Sequence, residues 1–215
     1  MFTGLVRATA EITARERGTA GTIKLRLQSK SFSKLALEVG DSLAVDGVCL
    51  TVVETGAESV AVELAETTSA KTTLQQARAG CIVNIEPSLA VGDRLDGHYV
   101  SGHVDGVVKI IVLEKSDAGY RLVTDYPGDL RPFLAPRGSV ALDGISLTIA
   151  DVSEETLTVQ VVPHTYQKTT LAERRPGQQM NLEVDTIARY LYNFWQNEKK
   201  KDNLSLSELS RAFQR

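Results

Sequence analysis

Cysteine is scarce in this chain: Cys49 and Cys81 are the only two in 215 residues, and there are three histidines. A disulfide framework would have been duplicated with the rest of the sequence described below, but the second half carries Ser146 and Gln178 where the first has the cysteines. Reduced thiols and a cytoplasmic protein are therefore expected. No stretch approaches the ~20 consecutive apolar residues that a membrane span needs. The opening Met1-Phe-Thr-Gly-Leu-Val-Arg-Ala lacks the basic start and apolar run of a secretory signal. Charge of one sign is missing too. With 24 basic and 27 acidic side chains the net charge is −3, which gives no reason to expect nucleic acid or an anionic membrane as partner. There is no phosphate-cradling Gly-rich loop, no Cys-x-x-Cys and no His-Glu-x-x-His. His98 and His103 are five apart, on opposite faces of an extended segment, which is poor geometry for a metal. No metal site and no cofactor are expected.

What is present is written twice. At a shift of 97 residues, Ser42-Leu-Ala-Val-Asp-Gly-Val-Cys-Leu-Thr51 overlies Ser139-Val-Ala-Leu-Asp-Gly-Ile-Ser-Leu-Thr148. Without a gap, Thr68-Ser-Ala-Lys-Thr-Thr-Leu74 overlies Thr165-Tyr-Gln-Lys-Thr-Thr-Leu171, and Gly80, Asn84 and Glu86 meet Gly177, Asn181 and Glu183. A period this long duplicates a whole domain, whereas a solenoid unit has about 20–50 residues. The matched residues are largely polar or Gly, which core patterning would not enforce. A duplicated pocket is expected, and two like pockets can hold two copies of one ligand.

Each half reads as six short strands. The first gives 8–14, 23–27, 42–45, 48–53, 59–64 and 82–85; the second gives 104–112, 121–124, 139–142, 145–150, 156–161 and 180–184. Ile23, Leu25 and Leu27 alternate with Lys24 and Arg26, as in a half-buried strand. Asp46-Gly47 and Asp143-Gly144 are hairpin signals. Six antiparallel strands in under a hundred residues predict a small closed barrel, since closure removes sticky edges. Thr72–Ala77 and Thr169–Arg174 predict a short helix in each half, with a Thr as N-cap. The fold class expected is all-β: two tandem six-stranded antiparallel barrels, at 1–97 and 98–186, with a C-terminal helix and tail at 187–215. Ile187, Tyr190, Leu191, Phe194 and Trp195 form the stripe of an amphipathic helix capped by Asp185. The stripe docks either on its own barrels or on another subunit. Residues 197–203 read as a solvated linker, and Ser205–Glu208 as a capping box opening a last short helix with Leu206, Leu209 and Phe213 on one side.

The motifs together resemble the riboflavin synthase family. Met1-Phe-Thr-Gly-Leu-Val, Gly97-His-Tyr-Val-Ser-Gly-His-Val-Asp-Gly106, both Asp-Gly-x-x-Leu-Thr hairpins and both Lys-Thr-Thr-Leu segments carry the resemblance, over about residues 1–195. It implies Greek-key barrels and a helix that gathers three subunits. It also implies a transferase that dismutates two molecules of 6,7-dimethyl-8-ribityllumazine. A four-carbon unit passes between them, giving riboflavin and 5-amino-6-(D-ribitylamino)uracil without a cofactor. The resemblance implies a first pocket of Gly4, Leu5, Val6, Ser42, Cys49, Leu50 and Thr51. Glu63, Leu64, Ala65, Glu66, Thr67 and Thr68 continue it, and Gly102, His103 and Val104 complete it. The second would use Arg137, Ser146, Leu147, Thr148, Gln160, Val161, Val162, Pro163, His164 and Thr165.

Identical reactants in unlike roles require two pockets that differ, and the halves diverge at Cys49 opposite Ser146, Thr67 opposite His164, and His103 opposite Leu5. His103 is the natural base, unless it is a structural hydrogen-bonder. Cys49, Ser146 or water is the nucleophile; Cys49 has the alternative of a buried filler. Ser42 joins the catalytic candidates. Asp185 is either a catalytic residue or a helix cap, and Phe2 is either core or a lid over a flat ring. Two rivals remain: a non-catalytic lumazine- or flavin-binding protein on the same barrels, such as the optical proteins of luminous bacteria, and a flavin oxidoreductase module. In the first, one copy's motif should have decayed; the second would need a nicotinamide-binding domain.

Overall fold

The computed structural model describes residues 1–18 and 21–202, with side chains described as far as Lys199. Twelve strands form two closed barrels. The first consists of β1 (Ala8–Arg17), β2 (Thr22–Gln28), β3 (Ser42–Val45), β4 (Val48–Thr55), β5 (Ser59–Ala65) and β6 (Ile82–Pro87). The second consists of β7 (Gly106–Ser116), β8 (Gly119–Asp125), β9 (Ser139–Leu142), β10 (Ile145–Val152), β11 (Thr156–Val161) and β12 (Gln179–Val184). Neighbours around the first barrel run β1-β2-β5-β4-β3-β6, and the second has the same order in its own strands, a Greek key in each. Even the irregularities repeat: a bulge at Ile12–Ala14 recurs at Ile110–Val112, and one at Val52–Glu54 recurs at Ile149–Asp151. Bulges bend a strand and tighten its twist, which small barrels need to close.

Alternation decides which side chains fill each barrel. Leu25, Leu27, Leu43, Leu50, Val52 and Ile85 point into the first core, and Leu122, Leu142, Leu147, Leu157, Val159 and Leu182 into the second. The long strands outrun the sequence reading at one end. β1 continues past Ala14 to Arg17 and β7 past Val112 to Ser116. There the outer residues are polar and the hydrophobic signal fades, although the backbone ladder continues. β7 also starts two residues later than expected, at Gly106 rather than Val104.

The predicted Thr-capped helices are single 3-10 turns, Thr73–Gln76 and Thr170–Ala172. Two short helices not read from the sequence precede them, α1 (Glu66–Ala70) and α2 (Pro163–Lys168). At five and six residues they are too short for an amphipathic stripe to show. The C-terminal helix, α3 (Thr186–Asp202), runs through 197–202, which were expected as linker. Its cap is Asp185, whose carboxylate accepts the Ile187 N–H at 2.9 Å. Tyr192 meets the edge of Phe133 and the Arg189 guanidinium covers the same ring, so one face docks on the second barrel. The predicted stripe is left outward: Tyr190, Leu191 and Phe194 are about two-thirds exposed or more (72%, 65% and 67%). The expected last helix at Ser205–Glu208, with Leu206, Leu209 and Phe213, lies outside the described residues. No helix among them is long and apolar enough to cross a membrane.

Candidate functional site

The two barrels meet back to back at their duplicated hairpins. Asp46 and Gly47 both have positive φ (44° and 76°), as do Asp143 and Gly144 (47° and 73°), the backbone that tight two-residue hairpins demand. The glycines are also required by proximity: a Cβ on Gly47 would lie 2.6 Å from the Gly144 nitrogen. The turns are stitched crosswise. Asn84 Nδ2 donates to the Asp143 carbonyl at 3.0 Å and Asn181 Nδ2 to the Asp46 carbonyl at 2.8 Å. The carboxylates of Asp46 and Asp143 accept the Asn84 and Asn181 N–H groups. The asparagine side-chain oxygens accept from Thr170 N–H and Thr73 N–H, at the head of the Lys-Thr-Thr-Leu segments. Much of the duplicated polar pattern thus builds this seam.

The rest of it builds a covered cleft on the first barrel and the corresponding face, the second cleft, on the other. Glu86, on β6, accepts Thr3 N–H at 2.7 Å, Thr3 Oγ1 at 2.6 Å and Gly4 N–H at 3.0 Å. Glu183, on β12, accepts Ser101 N–H at 2.6 Å, Ser101 Oγ at 2.7 Å and Gly102 N–H at 2.9 Å. Each carboxylate pins the segment leading into its own barrel, and that segment crosses to the other barrel. The Gly4 carbonyl accepts Ser146 N–H at 2.7 Å, and the Gly102 carbonyl accepts Cys49 N–H at 2.9 Å. Both glycines have positive φ, and a Cβ on either would lie within 2.6 Å of the Ser146 or Cys49 Cβ. Burial raises the pKa of both glutamates, opposed by the hydrogen bonds they accept.

This crossing corrects one assignment. Gly4, Leu5 and Val6 were expected in the first pocket, but Gly4 lies on Ser146 and Val6 packs against the second core. They belong to the second cleft, because the chain crosses the seam before entering β1. Phe2 is likewise no lid. It is fully buried among Ala44, Val100 and Ala141, paired with Val100 across the seam.

The first cleft, of about 340 Å³, brings together Cys49, Thr67, Thr68, Gly102, His103 and Val104 with Lys71 and Thr72. The first six are among the residues expected. Lys71 and Thr72 were quoted as motif residues but not as pocket residues, and the unread α1 is what turns them toward the cleft. Cys49 and Thr51 share the outer face of β4, while Leu50 between them points into the core. Ser42 pairs with Thr51, and Thr51 with Glu63, so the three form a polar row across β3, β4 and β5. The cleft therefore lies on the outer wall of a filled barrel. For that reason Leu50, Leu64, Leu147 and Val161 are core side chains, 6% exposed or less; only their backbone groups are available to a ligand. Their neighbours Glu63, Ala65, Gln160 and Val162 face outward.

In the second barrel Ser139, Thr148 and Gln160 repeat the polar row. Glu66, Thr67 and Thr68 open α1, while Pro163, His164 and Thr165 open α2 at the equivalent place. Arg137 is exposed with φ +70°, a left-handed backbone that is uncommon for Arg. Its counterpart is Gly40, so an arginine side chain is held where the fold is content with glycine. Ser146 has a neighbour that the sequence reading missed: His98 Nδ1 lies 2.7 Å from its Oγ. His98 is 8% exposed, its Nε2 is buried without a partner, and burial lowers its pKa. Its spacing from His103 was weighed only as a metal motif, and a side-chain pair across 48 residues leaves no local signal. Asp185 is engaged in capping α3. Cys81 lies in neither cleft; it lines a separate cavity at the seam. Among the described residues no group of three or more His, Cys, Asp or Glu is placed to hold a metal ion.

Known proteins with this arrangement are numerous. The lumazine binding domain model matches residues 3–88 and again 101–185. The chain is 36% identical to the riboflavin synthase of Bacillus subtilis over 99% of its own length and 97% of that protein. It is 36% identical to the riboflavin synthase of Brucella abortus, over 93% and 100%. Among solved structures, LumP complexed with riboflavin superposes with a TM-score of 0.77 at 21% identity, covering 86% of this chain and 99% of that one. LumP complexed with 6,7-dimethyl-8-(1'-D-ribityl) lumazine gives 0.75 at 20% with the same coverage. At that identity these structures speak for the fold.

Proposed function

Because this chain belongs to the riboflavin synthase family, we propose that it converts two molecules of 6,7-dimethyl-8-ribityllumazine into riboflavin and 5-amino-6-(D-ribitylamino)uracil, the last step of riboflavin biosynthesis. The observation that carries this reading is the pair of clefts, built from duplicated parts but furnished with different polar groups. A transfer between two copies of one compound needs that likeness to bind both, and that difference to make one the donor.

Each barrel is one ligand-binding unit, with 1–97 and 98–186 as the two domains and 187–215 as the assembly segment. The polar rows and the hydroxyls of α1 suit the amide edges of the ring and the hydroxyls of the ribityl chain, because a buried polar site must find partners. The substrate supplies an acidic ring methyl, whose anion delocalises. The protein must hold two rings in the right mutual orientation, and such orientation can supply roughly 7–11 kcal/mol of a barrier. His103, carried on the segment that Glu183 pins, is the base we assign. We assign to Cys49 or Ser146 the addition to the acceptor ring, or the orienting of water toward it.

The α3 stripe supports assembly as a homotrimer, since five exposed apolar side chains outside both barrels form one continuous face. Cutting the chain before Ile187 should give monomers that bind ligand but turn over poorly, as sedimentation and a rate assay would record; a trimer surviving the cut would move the interface to the barrels. The balanced charge and two free thiols fit a cytoplasmic enzyme.

The deciding experiment mixes pure protein with the lumazine and follows flavin absorbance. Two lumazines should disappear for each riboflavin formed, with one pyrimidine released, and the rate should survive exhaustive chelation and need no nucleotide. One-to-one conversion, or a requirement for metal or nicotinamide, would defeat the reading. Binding without turnover would establish the non-catalytic rival.

A further inference from the structure

Apart from the two clefts, a cavity of about 550 Å³ opens on the seam beneath the Thr73–Gln76 turn, within the ~300–1,000 Å³ of small-molecule sites. Its floor is apolar, with Ile12, Leu74, Ile82 and Val83, and its rim carries Arg78, Lys109 and Arg174. Arg78 and Lys109 are exposed, and neither side chain is paired with a carboxylate among the described residues. Arg174 reaches inward: its Nη2 lies 2.7 Å from Asp143 Oδ2 and 3.5 Å from Asp46 Oδ2. Its Nε is buried without any partner. A buried guanidinium nitrogen left without an acceptor is costly in a finished fold.

The repeat shows how one-sided the lining is. The cavity straddles the seam and holds both members of several duplicated pairs, Ala77 with Arg174, Cys81 with Gln178 and Ile82 with Gln179. Arg174 thus faces an alanine where the repeat would place a second arginine, and by strand register the counterpart of Lys109 is Glu11, which does not line the cavity. Arg78 has a counterpart in Arg175, but that guanidinium is spent on the Ala172 and Arg174 carbonyls. Thr73 Oγ1 is buried without a partner, as is its counterpart Thr170 Oγ1, so that feature belongs to the fold. The cationic rim does not. The single acid on the wall, Asp46, is buried, and burial first, with the neighbouring Asp143 second, raises its pKa.

We propose that this cavity is a ligand site, distinct from both lumazine clefts, for a small organic phosphate monoester. Two unpaired cations at the rim suit a compact dianion, for which arginine's fork is well shaped. Phosphate alone would leave the apolar floor uncovered, which argues for an organic body attached to it. A bound ligand would join the Thr73–Gln76 turn of the first barrel to Gly177–Gln179 of the second, across the seam.

The test titrates the full chain with phenyl phosphate by calorimetry, beside inorganic phosphate. Phenyl phosphate should saturate one site per chain and bind more tightly than inorganic phosphate; equal affinity would strike out the organic body. The surface double variant Arg78→Ala with Lys109→Glu, the second change copying the other repeat, should weaken phenyl phosphate by about tenfold or more. It should leave riboflavin binding, read by flavin fluorescence, unchanged. Arg174→Lys, which keeps the charge but takes the guanidinium from the cavity wall, should weaken it too. No saturable binding, an affinity indifferent to the double variant, or displacement of phenyl phosphate by riboflavin would overturn the site.

Discussion

The two clefts share a scaffold and differ in what is mounted on it. In the first, Cys49 sits under Gly102, and His103 is the next residue of the covering segment. In the second, Ser146 sits under Gly4, the next residue is Leu5, and imidazoles come instead from His98 at 2.7 Å and from His164 at the start of α2. Glu86 and Glu183, by contrast, make the same bonds to within 0.1 Å. The machinery that closes a cleft has therefore been held fixed between the halves, while the groups that could move a proton have been rearranged. That division is expected if closure serves both substrate molecules and proton transfer serves their different roles.

The largest expected effect comes from breaking both clefts at once. Phe2 is fully buried and anchors the N-terminal segment to the segment that leads to Gly102. Phe2→Ala should cost about 3–5 kcal/mol of stability, the usual range for emptying such a site. Turnover should also fall at temperatures where the barrels stay folded, since the segments bearing Gly4 and Gly102 would lose the side chain that packs them against Ala44 and Ala141 and would keep only their hydrogen bonds. Urea denaturation with a parallel rate assay checks this. A stable, fully active variant would free the clefts from their covers.

Next in size is the effect that tells the clefts apart. If His103 is the base, His103→Gln should lower kcat by roughly 10²–10⁴ and flatten the acid side of the pH–rate profile. His164→Gln, in the other cleft and at the position of Thr67, should change KM more than kcat and leave the profile's shape alone. Equal losses would mean that the halves act symmetrically, and an unchanged profile in the first variant would remove His103 from the role.

The limits of the sequence reading follow the same line between local and crossed. Strand positions, the barrel count and the Asp-Gly hairpins were legible, because alternation and turn chemistry are local. Cys49, Thr67, Thr68 and His103 were legible as a group because the motif resemblance names them together and the structure gathers them. The assignment of Gly4, Leu5 and Val6 to the first cleft failed for a physical reason: nothing within a segment records that it crosses a seam. His98 beside Ser146 and Lys71 in the first cleft were missed likewise, one being a long-range pair and the other placed by a helix of five residues. Duplication hid the seam as well. Asp46, Asn84, Asp143 and Asn181 were read as turn and motif residues, whereas the aspartate carbonyls and asparagine side-chain amides bind one barrel to the other, and the carboxylates brace each turn within its own barrel.

The smallest expected effect lies at that seam, where like residues meet and a single arginine makes them unlike. Arg174 lies closer to Asp143 than to Asp46. Asp143→Asn should therefore destabilise by about 1–3 kcal/mol, because it leaves a half-buried guanidinium without its near partner. Asp46→Asn should change stability at neutral pH by no more than about 1 kcal/mol, the size of one ordinary hydrogen bond. Asparagine keeps an oxygen for the Asn84 N–H and resembles the protonated acid. The sign of the pH dependence separates this from the alternative of a charged Asp46 paired with Arg174. Burial, and then Asp143, raise the folded-state pKa of Asp46, so the folded protein holds that proton more tightly than the unfolded chain does. The contribution is fully present below the ordinary aspartate pKa and is lost as pH rises through the raised value. The stability of the natural chain relative to Asp46→Asn should accordingly be greatest at acid pH and decline toward neutrality, as urea midpoints at a series of pH values would record. A difference that grows with pH would mean that Asp46 is ionised in the fold, and that the two aspartates share Arg174 more evenly than their distances indicate.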